Sequence, residues 1–141
     1  MTWPKQLIPR GGNGLDTGCG AGARDVFYYW RDGYDIVGVD VMEENISVAR
    51  KLHPVIADRV HVADLSGPLD YAGDSLDFVL CNAAIQHIDP ETVIGVTLPE
   101  MARVLEMDGI LQLMFKAGSG IKAVYDRDYD TKHTFQLYQP E

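Results

Sequence analysis

The chain of 141 residues is long enough for one domain with its own core and leaves little room for a second. Its 21 acidic and 12 basic side chains give a formal net charge of −9, and such an acidic surface repels phosphate backbones, which disfavours a nucleic-acid partner. The sequence holds two cysteines, no apolar core of a signal peptide and no apolar run of membrane-spanning length, so we expect a reduced, cytoplasmic protein with no membrane partner.

The first elements in the chain surround a glycine-rich segment. Prolines and glycines predict an irregular lead-in over residues 1–13, and a short strand ends near Leu15. In the glycine turn, residues 18–22, every second residue is glycine, so the backbone can bend tightly and approach a ligand without a Cβ. A helix is predicted at 23–31. A strand, a glycine turn and a helix in this order indicate a nucleotide-binding crevice at the carboxyl edge of a parallel sheet.

The remaining elements alternate between strand and helix patterns. We expect the last helix to break near Gly95 and restart at Pro99, because both residues disfavour a helix interior, and Asp108-Gly109 to turn the chain into the last strand. The alternation predicts the α/β class, with a doubly wound, mostly parallel sheet. We expect a single domain over 1–141, with its core at 14–116 and a flexible or incomplete part at 117–141. Strands are predicted at 35–40, 60–64, 76–81 and 110–115, and helices at 43–52 and from Pro90 to Leu105.

Three acidic residues stand at the ends of three successive predicted strands: Asp16, Asp40 and Asp64. The carboxyl ends of parallel strands share one edge of the sheet, so these carboxylates should flank one crevice. Asp40 follows the glycine turn by about 20 residues, the spacing of an acid that holds a ribose diol. A single acid after a strand can simply mark a polar loop, but three in register favour a binding role.

The identity of the nucleotide depends on the acid that precedes the glycine turn. Residues 18–23 satisfy the G-x-G-x-x-[GA] pattern of dinucleotide sites, so an NAD(P)-dependent oxidoreductase is one alternative. A pyrophosphate, however, is unfavourable beside the Asp16 carboxylate. A ligand with an ammonium, a sulfonium and a ribose but no phosphate suits that acid. S-adenosylmethionine is such a ligand, and we expect it as the cofactor.

Several segments together resemble the motifs of class I S-adenosylmethionine-dependent methyltransferases. The resemblance covers about residues 14–116 and implies a Rossmann-like fold. Family members usually carry helices before the first strand, and a helix and two strands after the fifth. These elements are not evident in this sequence, so we expect a chain that is truncated at both ends, or one that a second copy or a partner chain completes. The segments are Gly14 to Gly22, Val37 to Asp40, Ala63 to Leu65, Leu76 to Asn82 with Gln86 to Ile88, and Arg103 to Leu111.

The resemblance implies a role for each matching residue. Asp16 would lie near the methionyl ammonium, Asp40 would accept from the ribose hydroxyls, and Asp64 would accept from the adenine amino group. Leu65 would donate its N–H to an adenine ring nitrogen. The residues implied to bind the cofactor are Asp16, Gly18, Gly20, Gly22, Asp40, Val41, Asp64, Leu65, Asn82 and Ala83.

The catalytic group and the acceptor are less evident from sequence. Methyl transfer is an in-line displacement, which needs a base only when the nucleophile must lose a proton. His87, near the end of the fourth strand, is our candidate for that base, and a histidine that bonds to nearby backbone is the alternative. The other histidines lack the spacing of metal ligands, so we expect no metal site.

The acceptor is expected to be a small molecule. The fourth strand ends in Cys81-Asn82-Ala83-Ala84 and not in the Asn/Asp-Pro-Pro-aromatic signature of enzymes that methylate adenine or glutamine, and no Pro-Cys pair is present for cytosine methylation. A tRNA methyltransferase is one alternative. A cofactor-binding subunit without catalytic activity of its own is another.

Overall fold

The centre of the fold is a five-stranded sheet in which all strands run parallel. The computed structural model describes residues 7–82, 88–114, 122–125 and 135–138. The strands are β1 (Asn13–Thr17), β2 (Asp35–Asp40), β3 (Val60–Val62), β4 (Leu76–Asn82) and β5 (Leu105–Met114). Their order is β3-β2-β1-β4-β5. The predicted doubly wound α/β fold is confirmed. Its order reverses between β1 and β4, where such folds form a ligand crevice.

Helices cover both faces of this sheet. Successive residues of β4 point to opposite faces: Phe78 packs with Val26 and Ile46, whereas Val79 packs with Leu98. Both faces of the strand are therefore buried, which explains its nearly continuous apolar sequence. The helices are α1 (Arg24–Arg31), α2 (Glu43–Leu52), a 3₁₀ helix (Pro54–Arg59), α3 (Pro90–Thr92), a π-helical turn (Val93–Thr97) and α4 (Leu98–Val104).

The predicted helix break between Gly95 and Pro99 is wrong. The chain stays helical from α3 through the π-helical turn into α4. At the end of that turn the Leu98 N–H donates to the Val93 carbonyl, five residues back. Proline lacks an N–H and crowds the carbonyl four residues before it, and a widened turn relieves both problems without ending the helix.

Asp108-Gly109, predicted as a turn that precedes the fifth strand, lies within β5. Leu105 already pairs with Leu76, and after a shift in register Ile110 pairs with Phe78. Asp108 has a φ of 71°, a left-handed conformation that Asp adopts more readily than most residues. The Asp-Gly pair therefore forms a bulge within the strand instead of a turn before it.

Other elements differ from prediction in extent. β3 ends at Val62, two residues earlier than predicted. Within the predicted flexible or incomplete part, β6 (Lys122–Tyr125) and β7 (Phe135–Tyr138) form an antiparallel pair, and the rest lies outside the described residues. Across the described ranges, no helix combines the length and the apolar character needed to cross a bilayer.

Candidate functional site

The glycine turn connects β1 to α1 above the end of β2. The N–H groups of Gly18 and Cys19 both donate to the Val39 carbonyl, at 2.7 and 2.8 Å. Gly18 and Gly20 have φ values of 110° and 71°, which other residues rarely adopt. A Cβ built on Gly20 or Gly22 would meet no atom within 4 Å. The turn is thus bent by its glycines and bordered by open space.

Asp40, the predicted ribose-binding acid, ends β2 directly beneath this turn. Its Oδ2 accepts the Gly20 N–H at 2.9 Å. Its Oδ1 accepts the Met42 N–H at 2.8 Å and Asn45 Nδ2 at 3.3 Å. The structure therefore brings the glycine turn and this carboxylate together, as the sequence spacing predicts.

Asp16 lies near the end of β1 and is only 3% exposed. Its Oδ1 has no hydrogen-bond partner among the described residues. Burial, and then the charges of Asp25 and Asp40, raise the pKa of Asp16 from 3.8 to about 8. The carboxyl group consequently favours its protonated form near neutral pH.

Asn82 ends β4 and contacts α1 through a side-chain pair. Its Nδ2 donates to Oδ2 of Asp25 at 2.8 Å. Its own Oδ1 is buried and, like Asp16 Oδ1, has no hydrogen-bond partner among the described residues. Sequence reasoning missed Asp25, because an acid in the first turn of a helix is also what the helix dipole favours.

Asp16, Asp25 and Asn82 line one cleft of about 510 Å³ at the carboxyl ends of β1 and β4. Two residues of its lining have a buried oxygen that accepts no hydrogen bond from the described residues, and Asp25 adds a carboxylate. The cleft therefore favours ligand groups that carry N–H donors and a positive charge. Arg24 adds one exposed cation at the start of α1. The lining residues are Asp16, Gly18, Cys19, Gly22, Ala23, Arg24, Asp25 and Asn82.

Asp64 and Leu65 lie on the far side of Asp40 and do not line this cleft. The Ala63 N–H donates to the Asp40 carbonyl at 3.0 Å, which holds the segment after β3 beside the end of β2. One oxygen of Asp64 accepts the Ser66 N–H at 2.9 Å. Leu65 is buried. The three predicted acids therefore lie along one edge of the sheet, but of the three only Asp16 lines the cleft.

The remaining predicted site residues divide into two groups. Val41 follows Asp40 and is exposed. Ala83 and His87 lie outside the described residues, so their roles stay predictions. Across the described part of the chain, no three His, Cys, Asp or Glu residues cluster in a way that could hold a metal ion.

Neither Cys19 nor Cys81 forms a disulfide bond. Cys19 is half-buried in the glycine turn, and burial, followed by the charges of Asp16 and Asp40, raises its pKa to about 12. Such a thiol stays protonated and unreactive at neutral pH. Its Cβ instead packs against β2: a Cβ on Gly38 would lie only 2.9 Å from it.

A match to a known family covers most of the chain. The sequence profile of a family described as a methyltransferase domain matches residues 15–113. No curated protein sequence matches the chain.

Solved structures share the fold. A TehB-like S-adenosylmethionine-dependent methyltransferase from Corynebacterium glutamicum matches with a TM-score of 0.68 and 24% identity, over 94% of this chain and 80% of its own. A protein from Pyrococcus horikoshii OT3 matches with a TM-score of 0.67 and 24% identity, over 90% and 56%. Phosphoethanolamine N-methyltransferase 1 from Haemonchus contortus, in complex with phosphoethanolamine and S-adenosylhomocysteine, matches with a TM-score of 0.69 and 20% identity, over 80% and 24%. The chain spans about half the length of relatives such as the Pyrococcus protein.

Proposed function

Because the chain belongs to the class I S-adenosylmethionine-dependent methyltransferase family, we propose that it binds S-adenosylmethionine beside the glycine turn and transfers the methyl group to a small-molecule acceptor. The observation that carries this proposal is the buried Asp16 carboxyl group, whose Oδ1 has no partner among the described residues and which lines the cleft. A buried acceptor of this kind requires a donor, and a cationic donor suits it best. The methionyl ammonium has three N–H groups and a positive charge.

We call the surroundings of Asp40 the ribose end of the site. Gly20 and Met42 already hold both carboxylate oxygens of Asp40 through backbone N–H groups. Oδ2 accepts one hydrogen bond and keeps a lone pair for a ribose hydroxyl, whereas Oδ1 would accept the second hydroxyl in place of its long bond from Asn45, at 3.3 Å. Val41 supplies exposed apolar surface beside them.

The adenine ring is assigned to the segment after β3. The hydrogen bond from Ala63 to Asp40 keeps this segment next to the ribose end. Asp64 uses one oxygen for the Ser66 N–H, which leaves lone pairs for the adenine amino group. The Leu65 N–H is assigned to an adenine ring nitrogen.

We call the surroundings of Asp16 and Asn82 the methionyl end. Gly18 and Gly22 line it without side chains, so the backbone can approach the ligand. Arg24, in the same cleft, offers a guanidinium for the methionyl carboxylate. Ala83, next along the chain from Asn82, is assigned to the wall near the sulfonium.

The bound cofactor supplies a methyl group on a positively charged sulfur, which an acceptor atom can attack in line. The chain's contribution is to hold the donor, to orient the acceptor and, where the acceptor carries a proton, to remove it. His87 is proposed for the last role. The acidic surface, with a net charge of −9, supports a small acceptor over a nucleic acid.

Calorimetry tests this proposal with S-adenosylmethionine, S-adenosylhomocysteine and NAD as ligands. We expect both adenosyl ligands to bind and NAD to give no heat of binding, because a pyrophosphate would lie beside the acids of the cleft. Binding of NAD without binding of either adenosyl ligand would overturn the proposal. Methyl transfer to a pool of small metabolites then distinguishes an enzyme from a subunit that only binds the cofactor.

A further inference from the structure

Asp25 stands where helix α1 meets the end of β4. The bond from Asn82 Nδ2 to Asp25 Oδ2, at 2.8 Å, joins two residues that are 57 positions apart in the chain. Both residues line the cleft. The pair therefore links the first turn of α1 to the methionyl end of the site.

The bond also fixes the orientation of the Asn82 amide. A carboxylate oxygen accepts hydrogen bonds, so the part of the amide that faces Asp25 must be the NH₂ group. The Asn82 oxygen is then held on the opposite side of the amide, where it is buried and has no partner among the described residues. Without Asp25, nothing in this pair would prevent the amide from turning by 180° and presenting its donors instead.

Asp16 and Asn82, which both line the cleft, thus each have a buried acceptor oxygen, Oδ1, with no partner among the described residues. A hydroxyl group supplies a single donor and a sulfonium supplies none. A primary ammonium supplies three donors together with a positive charge, which the nearby carboxylates favour.

We propose that Asp25 is a positioning residue, which orients Asn82 so that the oxygens of Asn82 and Asp16 together select the α-ammonium group of the ligand. The inference rests on the proposed function, since it assigns that ammonium to the cofactor. Asp25 acts through Asn82 and touches no reacting atom.

A purely structural role for Asp25 makes a different prediction. Asp25 lies in the first turn of α1, whose N-cap residue, Ala23, makes no capping bond with its side chain, so the carboxylate could serve only the helix dipole. Glu44 holds the equivalent place in the first turn of α2, is exposed, and does not line the cleft. Glu44→Gln is therefore a matched control for the loss of a first-turn acid.

The test compares two ligands in calorimetric titrations: S-adenosylhomocysteine and its deamino analogue, in which hydrogen replaces the α-amino group. We expect the wild-type chain to prefer S-adenosylhomocysteine by roughly 100-fold, as charge-assisted hydrogen bonds to buried acceptors imply. In Asp25→Ala the preference should fall to roughly tenfold or less, with affinity for the deamino analogue within about twofold of wild type. Asp25→Asn, which can still accept from Asn82 Nδ2, should restore part of the preference, and Glu44→Gln should leave it unchanged.

Failure of the inference can be told apart from failure of the proposed function. If the wild type binds both ligands equally, or if Asp25→Ala weakens both by the same factor, Asp25 does not act on the ammonium and the inference is overturned. If the wild type binds neither ligand, the proposed function itself is overturned. The wild-type comparison needs no variant, so equal binding of the two ligands overturns the inference even where Asp25→Ala fails to fold.

Discussion

The ribose end and the methionyl end of the proposed site differ in how their carboxyl groups are satisfied. Asp40 accepts three N–H bonds from its own neighbourhood, two of them from backbone. Asp16 is buried, with one oxygen that has no partner among the described residues and a raised pKa. The ribose end is therefore organised by the fold itself, whereas the methionyl end carries an electrostatic cost that a cationic ligand would relieve.

The largest expected effect on ligand affinity is at the ribose end. Asp40→Ala removes the proposed acceptor of both ribose hydroxyls and also leaves the Gly20 and Met42 N–H groups without their partner. We expect the affinity for S-adenosylhomocysteine to fall roughly 100-fold, with a lower melting temperature. Asp35→Ala, at the opposite end of β2, removes only an exposed ion pair with Arg59 and should leave affinity unchanged. An Asp40→Ala chain that binds within threefold of wild type would refute the ribose assignment.

At the methionyl end, Asp16→Asn should raise the stability of the folded chain but lower its affinity for the ligand. The pKa of Asp16 rises from 3.8 to about 8 on folding, so between these values the folded chain keeps a proton that the unfolded chain has released. The free energy of unfolding therefore falls as pH rises through this window, and the cost is fully present above pH 8. Asparagine carries no charge, so the substitution removes this cost.

We accordingly expect Asp16→Asn to exceed wild-type stability by less at pH 5 than at pH 9, because the cost in the wild type grows by about 1.4 kcal/mol per pH unit between pH 3.8 and about 8. Urea unfolding at the two pH values measures this. The groups coupled to Asp16 are Asp25 on α1, Asp40 on β2, Cys19 in the glycine turn and Tyr29 on α1, and none of them is altered. Affinity for S-adenosylhomocysteine should fall roughly tenfold. A variant less stable than wild type at pH 9 would contradict the buried-charge account.

The smallest effects are expected in the glycine turn that joins the two ends. Gly20 has a φ of 71° and donates to Asp40, so Gly20→Ala should cost about 1–2 kcal/mol of stability through backbone strain. Gly22 has no positive φ and open space around it, so Gly22→Ala should leave the melting temperature nearly unchanged and weaken only ligand binding. Thermal melts with and without S-adenosylhomocysteine distinguish the two. Equal destabilisation by both substitutions would argue against this difference.

The sequence predicts the ribose end better than the methionyl end. The strand pattern before Asp40, and the spacing between Asp40 and the glycine turn, are local features of the sequence. The structure does bring the Gly20 N–H to the Asp40 carboxylate. Buried parallel strands also have a clear apolar pattern, so the order of elements was predictable. The resemblance to the methyltransferase family rests on the same segments.

Features that depend on contacts between distant segments were not predictable. The Asp25–Asn82 bond requires α1 to pack beside the end of β4, which no local pattern specifies. The π-helical turn around Gly95 and the bulge at Asp108 are irregularities that tertiary packing stabilises against the local preference for a break or a turn. In both places the residue types indicated an irregularity, but not its form.

The central claim, that a cationic ligand relieves the buried Asp16 carboxyl group, is tested most directly by proton release. S-adenosylhomocysteine is titrated at pH 7 into the wild-type chain in two buffers that differ in ionisation enthalpy. Because Asp16 is protonated at this pH in the free chain and ionised beside an ammonium, we predict that binding releases about one proton, and that Asp16→Asn abolishes the release. Binding with no proton release in the wild type would contradict the account.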